Sequence, residues 1–190
     1  MMILGIDPGP SVTGVAWGCA EAILGWRRLI VPDLSPAGKA IWITDALDLL
    51  LLDEAFTPDL VAYEWLRGRN VPEAPALAVV IRELGYWVRQ HKYLKRIYSP
   101  GHWRKVAIGN GRADKSETAG SLSLRYPSLR AGGLELGHDD VWDAIGITTC
   151  ALAEAGKPAF AELERAQAIV RRRRYKADGV HFLVRTRHIP

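Results

Sequence analysis

The six residues Leu60-Val61-Ala62-Tyr63-Glu64-Trp65 constrain the architecture more than any other stretch of the chain. They follow Pro58 closely, are too few for a helix that would stand alone, and are apolar at almost every position rather than at alternate ones. Such a run reads as a strand buried on both faces, and a strand of that kind needs helices above and below its sheet. The sequence around it supplies them. Ala37–Phe56 has helical spacing at Ile41, Leu47, Leu50 and Leu51, and Glu73–Lys92 has an apolar stripe of Leu77, Val80, Ile81, Leu84 and Val88.

Upstream, Met2–Asp7, Val12–Cys19 and Ile23–Val31 are short apolar runs punctuated by Gly and Pro, which read as a strand meander closed by Pro32 and Pro36. Leu94–Tyr98 reads as a further strand. A helix is expected to open near Asp114, where Glu117 completes a capping-box spacing, and a last core helix over Asp139–Ala155. Strands first, then strands alternating with helices, predict a mixed α/β sheet flanked by helices. Ala159–Arg174 has helical character, Val180–Thr186 reads as a terminal strand, and Pro158 marks a boundary. The expected organisation is a core domain over residues 1–157 and a basic C-terminal extension over 158–190. In Glu73–Lys92, Ala78, Val79, Gly85, Tyr86 and Trp87 spread apolar surface over much of the remaining circumference. That predicts burial on two sides, one against the sheet and one against a second subunit.

The 190 residues are 48% apolar, which fits one folded domain and excludes a disordered chain. The longest apolar stretch, residues 40–56, is broken by Asp45, Asp48, Asp53 and Glu54, so no membrane span is expected. The opening residues lack the charged flank and cleavage site of a signal peptide. Cys19 and Cys150 sit in apolar surroundings and read as buried thiols, neither a disulfide nor a metal site. Together these features predict a cytoplasmic protein. Its net charge of +4 is unevenly spread: nine of the 25 Lys/Arg and three of the 21 Asp/Glu lie from residue 157 onward. The tail is therefore +6 and residues 1–156 are −2. The run Arg171-Arg172-Arg173-Arg174-Tyr175-Lys176 suits a polyanion such as nucleic acid and, taken alone, suits equally the plainer reading of a solvated helix end with cations near its C-terminus.

Acids inside buried strands are costly unless they are paired or bind metal. Asp7 ends the first strand run and Glu64 sits inside the dense one. Asp7 before Pro8-Gly9 also suits a turn, but nothing local explains Glu64. The last core helix opens with Asp139, Asp140 and Asp143. Asp140 and Asp143 share a face, as do Asp139 and Asp143, and spacing does not choose between them; either early acid would also serve as a helix cap. Clustered carboxylates repel one another until cations relieve them, and all-oxygen donors suit Mg²⁺ or Mn²⁺. Two such ions ~4 Å apart are a known device for hydrolysing a phosphodiester.

The segment Ile3-Leu4-Gly5-Ile6-Asp7-Pro8-Gly9-Pro10-Ser11-Val12-Thr13-Gly14 resembles the opening strand-turn-strand of RuvC-type Holliday junction resolvases. The Glu64 strand, Gly109-Asn110-Gly111-Arg112-Ala113-Asp114-Lys115-Ser116 and Asp140-Val141-Trp142-Asp143-Ala144 resemble further family segments in the same order, over roughly residues 2–152. The resemblance implies an RNase H-like fold, a homodimer, and an Mg²⁺-dependent endodeoxyribonuclease that makes paired symmetric nicks in a four-way DNA junction, in recombination and repair. It implies two ions, with Mn²⁺ able to substitute, held by Asp7, Glu64, Asp140 and Asp143. That selects Asp140 over Asp139. Lys115 corresponds to a lysine near the scissile phosphate, and Arg104 to another basic position. Arg67, Arg69, Lys105, Arg112 and the four tail arginines complete the expected DNA-binding set. The helix at Glu73–Lys92 takes the place of the family's dimer helix.

The sequence also departs from the family. Pro10 stands where many relatives have Ser, and Arg67 where some carry an aromatic that stacks on bases. Three competing functions follow from the same features. An actin-like ATPase or sugar kinase opens similarly but needs a second phosphate loop and a longer chain. A junction-binding protein without catalysis would not need all four acids. An RNase H-like nuclease on other branched DNA or on RNA would use the same carboxylates.

Overall fold

The computed structural model describes residues 1–20, 22–65 and 74–155. Residues Met1–Ala155 pack as one unit around a single five-stranded sheet. The strands are β1 (Met2–Asp7), β2 (Val12–Cys19), β3 (Ala22–Ile30), β4 (Leu60–Glu64) and β5 (Leu94–Tyr98), in the spatial order β3-β2-β1-β4-β5. The meander β1–β2–β3 is antiparallel; β4 adds parallel to β1 and β5 parallel to β4. The mixed sheet predicted from the sequence is therefore present. Every residue of β4 is buried, as its composition requires.

Alternate residues of the strands feed two separate cores. Leu4 and Ile6, Val15 and Trp17, and Val61 and Tyr63 point to one face. There they meet α1 (Pro36–Asp53) and α2 (Ala74–Gln90), which pack on each other. Helix α1 starts where Ser35 accepts the Gly38 N–H and Pro36 supplies a pre-set first-turn φ. The opposite face is covered by α6 (Asp139–Ala155), with α3 (Pro100–Ile108), α4 (Lys115–Arg125) and the short α5 (Pro127–Ala131) packed around it. Helix α6 lies so close that Gly5 has no room for a side chain: a Cβ there would overlap the Thr148 hydroxyl. Thr148 instead donates to the carbonyls of Ala144 and Ala16.

Three expectations need adjustment. The helix expected over Ala37–Phe56 ends at Asp53, and Ala55 turns the chain with a left-handed φ of 51°. In α2, Trp87 does not widen the outer apolar face. It is buried with the stripe, and its indole N–H donates to Asp48 at 2.8 Å. The outward face is left to residues such as Ala78, Arg82, Tyr86 and Arg89, which is less apolar than the sequence suggested. Helix α3 was not foreseen, although Ser99-Pro100 at its start and Gly109, at φ 82° just past its end, are ordinary boundary residues. The boundary after residue 157, the helix over Ala159–Arg174, the strand over Val180–Thr186, and Arg67, Arg69 and Arg171–Arg174 lie outside the described residues. Among the described residues, no helix is long and apolar enough to cross a membrane.

Candidate active site

Asp7 and Glu64 are the last residues of neighbouring parallel strands. Ile6 pairs with Tyr63 one step earlier, so both acids emerge at the same level of the sheet. Strand parity puts both on the face covered by α6, since Gly5 and Ala62 lie on that side. Across β1–β2, Asp7 is opposite Gly14, and a Cβ on Gly14 would overlap the backbone carbonyl of Asp140. The absence of a side chain at Gly14 thus brings the first turn of α6 directly against Asp7. Asp140 and Asp143 project from that turn and the next. The turn after β1 is closed by Thr13, whose buried hydroxyl donates to the Gly9 carbonyl at 3.0 Å.

The four acids expected to share a site are therefore brought together, and their electrostatics show it. Burial pushes the Asp7 carboxyl well above the usual carboxylate range, and the charges of Asp143, Glu64 and Asp140 add to the rise. Burial also raises Glu64, against the stabilising Trp103 hydrogen bond and the charges of Arg104 and Lys115. Asp143 is pushed up to about 6, chiefly by burial; Arg104 and Lys115 oppose the shift, while Glu64 and Asp139 reinforce it. Glu64 and Asp143 are each only 6% exposed. Like charges buried together raise one another's proton affinity, and nearby cations offset the rise only in part.

The cations nearest the cluster are few and individually placed. Arg104 reaches Asp143 at 3.4 Å and lies over the ring of its neighbour Trp103, 4.8 Å from the centroid. Its Nε is buried with no hydrogen-bond partner. Lys115 stands 3.7 Å from Asp139, exposed at the start of α4, where Asp114 and Glu117 form the expected capping box. Lys105 and Arg112 are exposed beyond it and do not join the cluster.

Two contacts were not anticipated. Trp103, fully buried, donates its indole N–H to Glu64 at 2.7 Å and fixes one carboxylate oxygen. Arg28, on the edge strand β3, spans both oxygens of Asp140 at 3.2 Å each. Nothing in the residue spacing marks Trp103, because its helix was not foreseen. Arg28 sits directly opposite Gly14 in the β2–β3 register, so a correct strand pairing would have pointed to it.

No family model matches the chain. It is similar to the crossover junction endodeoxyribonuclease RuvC of Chloroherpeton thalassium, with 28% identity over 178 residues covering 87% of this chain and 89% of that protein. The RuvC of Parvibaculum lavamentivorans is 27% identical over 163 residues, 77% of this chain and 83% of the relative. Among solved structures, Thermus thermophilus RuvC superposes with a TM-score of 0.65 at 18% identity, covering 82% of this chain and 95% of that one. A Fowlpox virus resolvase, solved with Holliday junction DNA, gives 0.54 at 13% identity over 83% and 100% of the two chains. The chain has the fold of these resolvases, the RNase H-like fold that the resemblance implied.

Proposed function

We propose that this chain is a RuvC-type resolvase, a metal-dependent endonuclease that nicks four-way DNA junctions. The observation that carries the proposal is the convergence of Asp7, Glu64, Asp140 and Asp143 from two strand ends and one helix into a buried, mutually repelling group. The similarity of most of the chain to RuvC proteins supports the substrate. The donor set fits hard divalent cations: all four candidate ligands are carboxylates, and burial raises the proton affinities of Asp7, Glu64 and Asp143. Asp7, Glu64, Asp140 and Asp143 would hold Mg²⁺, or Mn²⁺ in its place, as a pair of ions. When bound, such a pair supplies an activated water and stabilises the leaving oxygen of the cut phosphodiester.

The chain's own residues do the rest. Trp103 fixes one oxygen of the Glu64 carboxylate through its indole N–H. Arg104, held over the Trp103 ring with an unused Nε–H, offers a planar fork to a phosphate oxygen. Lys115, exposed at the start of α4 beside Asp139, is the lysine that would act near the scissile phosphate. Arg28 holds both oxygens of Asp140, the same oxygens that would hold a metal ion. Lys105 and Arg112, exposed on the core, and Arg67, Arg69 and Arg171–Arg174 in the sequence are the further candidates for contact with DNA phosphates. A homodimer would place two such sites on one junction for paired cuts, with the outward face of α2 as the contact. A junction resolvase acts where the chromosome is, in the bacterial cytoplasm, whether encoded by the cell or by a phage.

The test is cleavage of a synthetic four-way junction with Mg²⁺, beside linear duplex, flap and RNA–DNA hybrid, using wild type and Asp7→Asn. Symmetric nicks on the junction, lost in Asp7→Asn with junction binding retained, are expected. Cutting of another substrate in preference would keep the carboxylate chemistry and overturn the resolvase reading. Cleavage retained by Asp7→Asn would overturn the site itself.

A further inference from the structure

Beyond the carboxylate cluster, three ligand-bearing side chains from two helices meet at one place. His102 of α3 and Cys150 and Glu154 of α6 each offer an atom within 4.8 Å of the other two. Cys150 and Glu154 lie one turn apart on the same face of α6. The His102 Nε2 is 2.9 Å from the Glu154 Oε1, and the Tyr98 hydroxyl donates to Oε2 at 3.1 Å. The Tyr98 ring also stacks parallel to the imidazole, with centroids 5.6 Å apart. Cys150 is fully buried, Glu154 mostly so, and the His102 side chain is 50% exposed.

We propose that His102, Cys150 and Glu154 form a second cation site, specific for a borderline-soft divalent ion of the zinc class. Thiolate, imidazole and carboxylate are a donor set that zinc accepts and magnesium refuses. Zinc bonds of about 2.0–2.3 Å in a tetrahedron place the ligand atoms roughly 3.3–3.8 Å apart. The half-exposed imidazole reaches that spacing by a small rotation, and its open side leaves the fourth position to water. Tyr98 is the outer partner that orients the ligating carboxylate, a role such sites regularly contain. Binding would release the Cys150 thiol proton and any proton shared between His102 and Glu154. From sequence alone Cys150 reads as an inert buried thiol; the packing of α3 on α6 is what surrounds it with ligands.

The consequence for the molecule is mechanical. His102 is followed directly by Trp103 and Arg104, which touch Glu64 and Asp143. An ion here fastens α3 to α6 about 10 Å along the helix from Asp143, seven residues at 1.5 Å each. It would hold the helix that supports the carboxylates without entering the chemistry.

The test uses the metal alone. Full-length protein, kept reduced and freed of metal by chelation, is titrated with Co²⁺. We expect a single equivalent to give thiolate-to-cobalt charge-transfer absorption, displaced by Zn²⁺ but not by Mg²⁺. The absorption is lost in Cys150→Ser and retained in Cys19→Ser and Asp7→Asn. Replacing the half-exposed His102, a position that the core does not need, by Ala weakens Co²⁺ binding at least tenfold while leaving the far-ultraviolet spectrum unchanged. Absence of charge transfer in the wild type overturns the proposal and leaves a hydrogen-bonded cluster only. So does its survival in Cys150→Ser, or unchanged affinity in His102→Ala.

Discussion

Asp143 shows how much the proposed metal centre costs the metal-free protein. Its carboxyl titrates at about 6 in the folded state against an ordinary value of 3.8. The folded state therefore holds the proton more tightly, and this group's contribution to stability is complete below pH ~4. That contribution is lost as the pH rises through about 6, a change on the order of 3 kcal/mol. In EDTA, wild type should lose stability between pH 4 and 7 relative to Asp143→Asn, and Mg²⁺ should restore it at pH 7. Parallel melting curves for the two proteins over that range would refute the assignment. Trp103 makes a separate residue-scale prediction. Trp103→Phe keeps the ring but removes the N–H that holds down the Glu64 proton affinity, leaving a buried oxygen unpartnered. It should cost about 1–3 kcal/mol of stability by urea denaturation and move the acid limb of the cleavage pH profile upward.

The elements differ in how far the residues announced them. Strands β1 and β2 were legible to the residue because Gly and Pro punctuate short apolar runs, β5 because Ser99-Pro100 closes it, and α6 because His138-Asp139 precedes a long apolar stretch. The capping box of Asp114 and Glu117 was also legible, and it fixes where Lys115 stands. Asp114→Ala should lower stability by about 1 kcal/mol by urea denaturation, with a larger proportional loss of cleavage because α4 frays at that lysine. Helix α3 was hidden because its nine residues present only Trp103 and Ala107 to the core, too few to show a period. With it went the Trp103–Glu64 and Arg104–Asp143 contacts. The choice of Asp140 over Asp139 was also beyond spacing. The contacts that tell the two apart come from other elements: Arg28 pairs with Asp140, whose charge also bears on Asp7, while Lys115 pairs with Asp139.

For the whole molecule, the proposed junction binding rests on charge that the core lacks. Residues 1–156 are net −2, and the positive balance lies in the tail. Deleting residues 171–190 should weaken junction binding and flatten its salt dependence by roughly 0.9 in the log–log slope for each phosphate contact removed. Fluorescence anisotropy between low and moderate salt measures this, and an unchanged slope would remove the tail from the DNA path. The close seating of α6 on the sheet has another consequence. At Gly14 strand backbone meets helix backbone directly, and at Gly5 only the hydrogen-bonded Thr148 hydroxyl lies between them, so side-chain rotation can absorb little error. Displacement of either strand is passed undamped to the carboxylates. The chain therefore has no slack between being folded and being armed, and its evolution cannot adjust this part of the core without also retuning the blade.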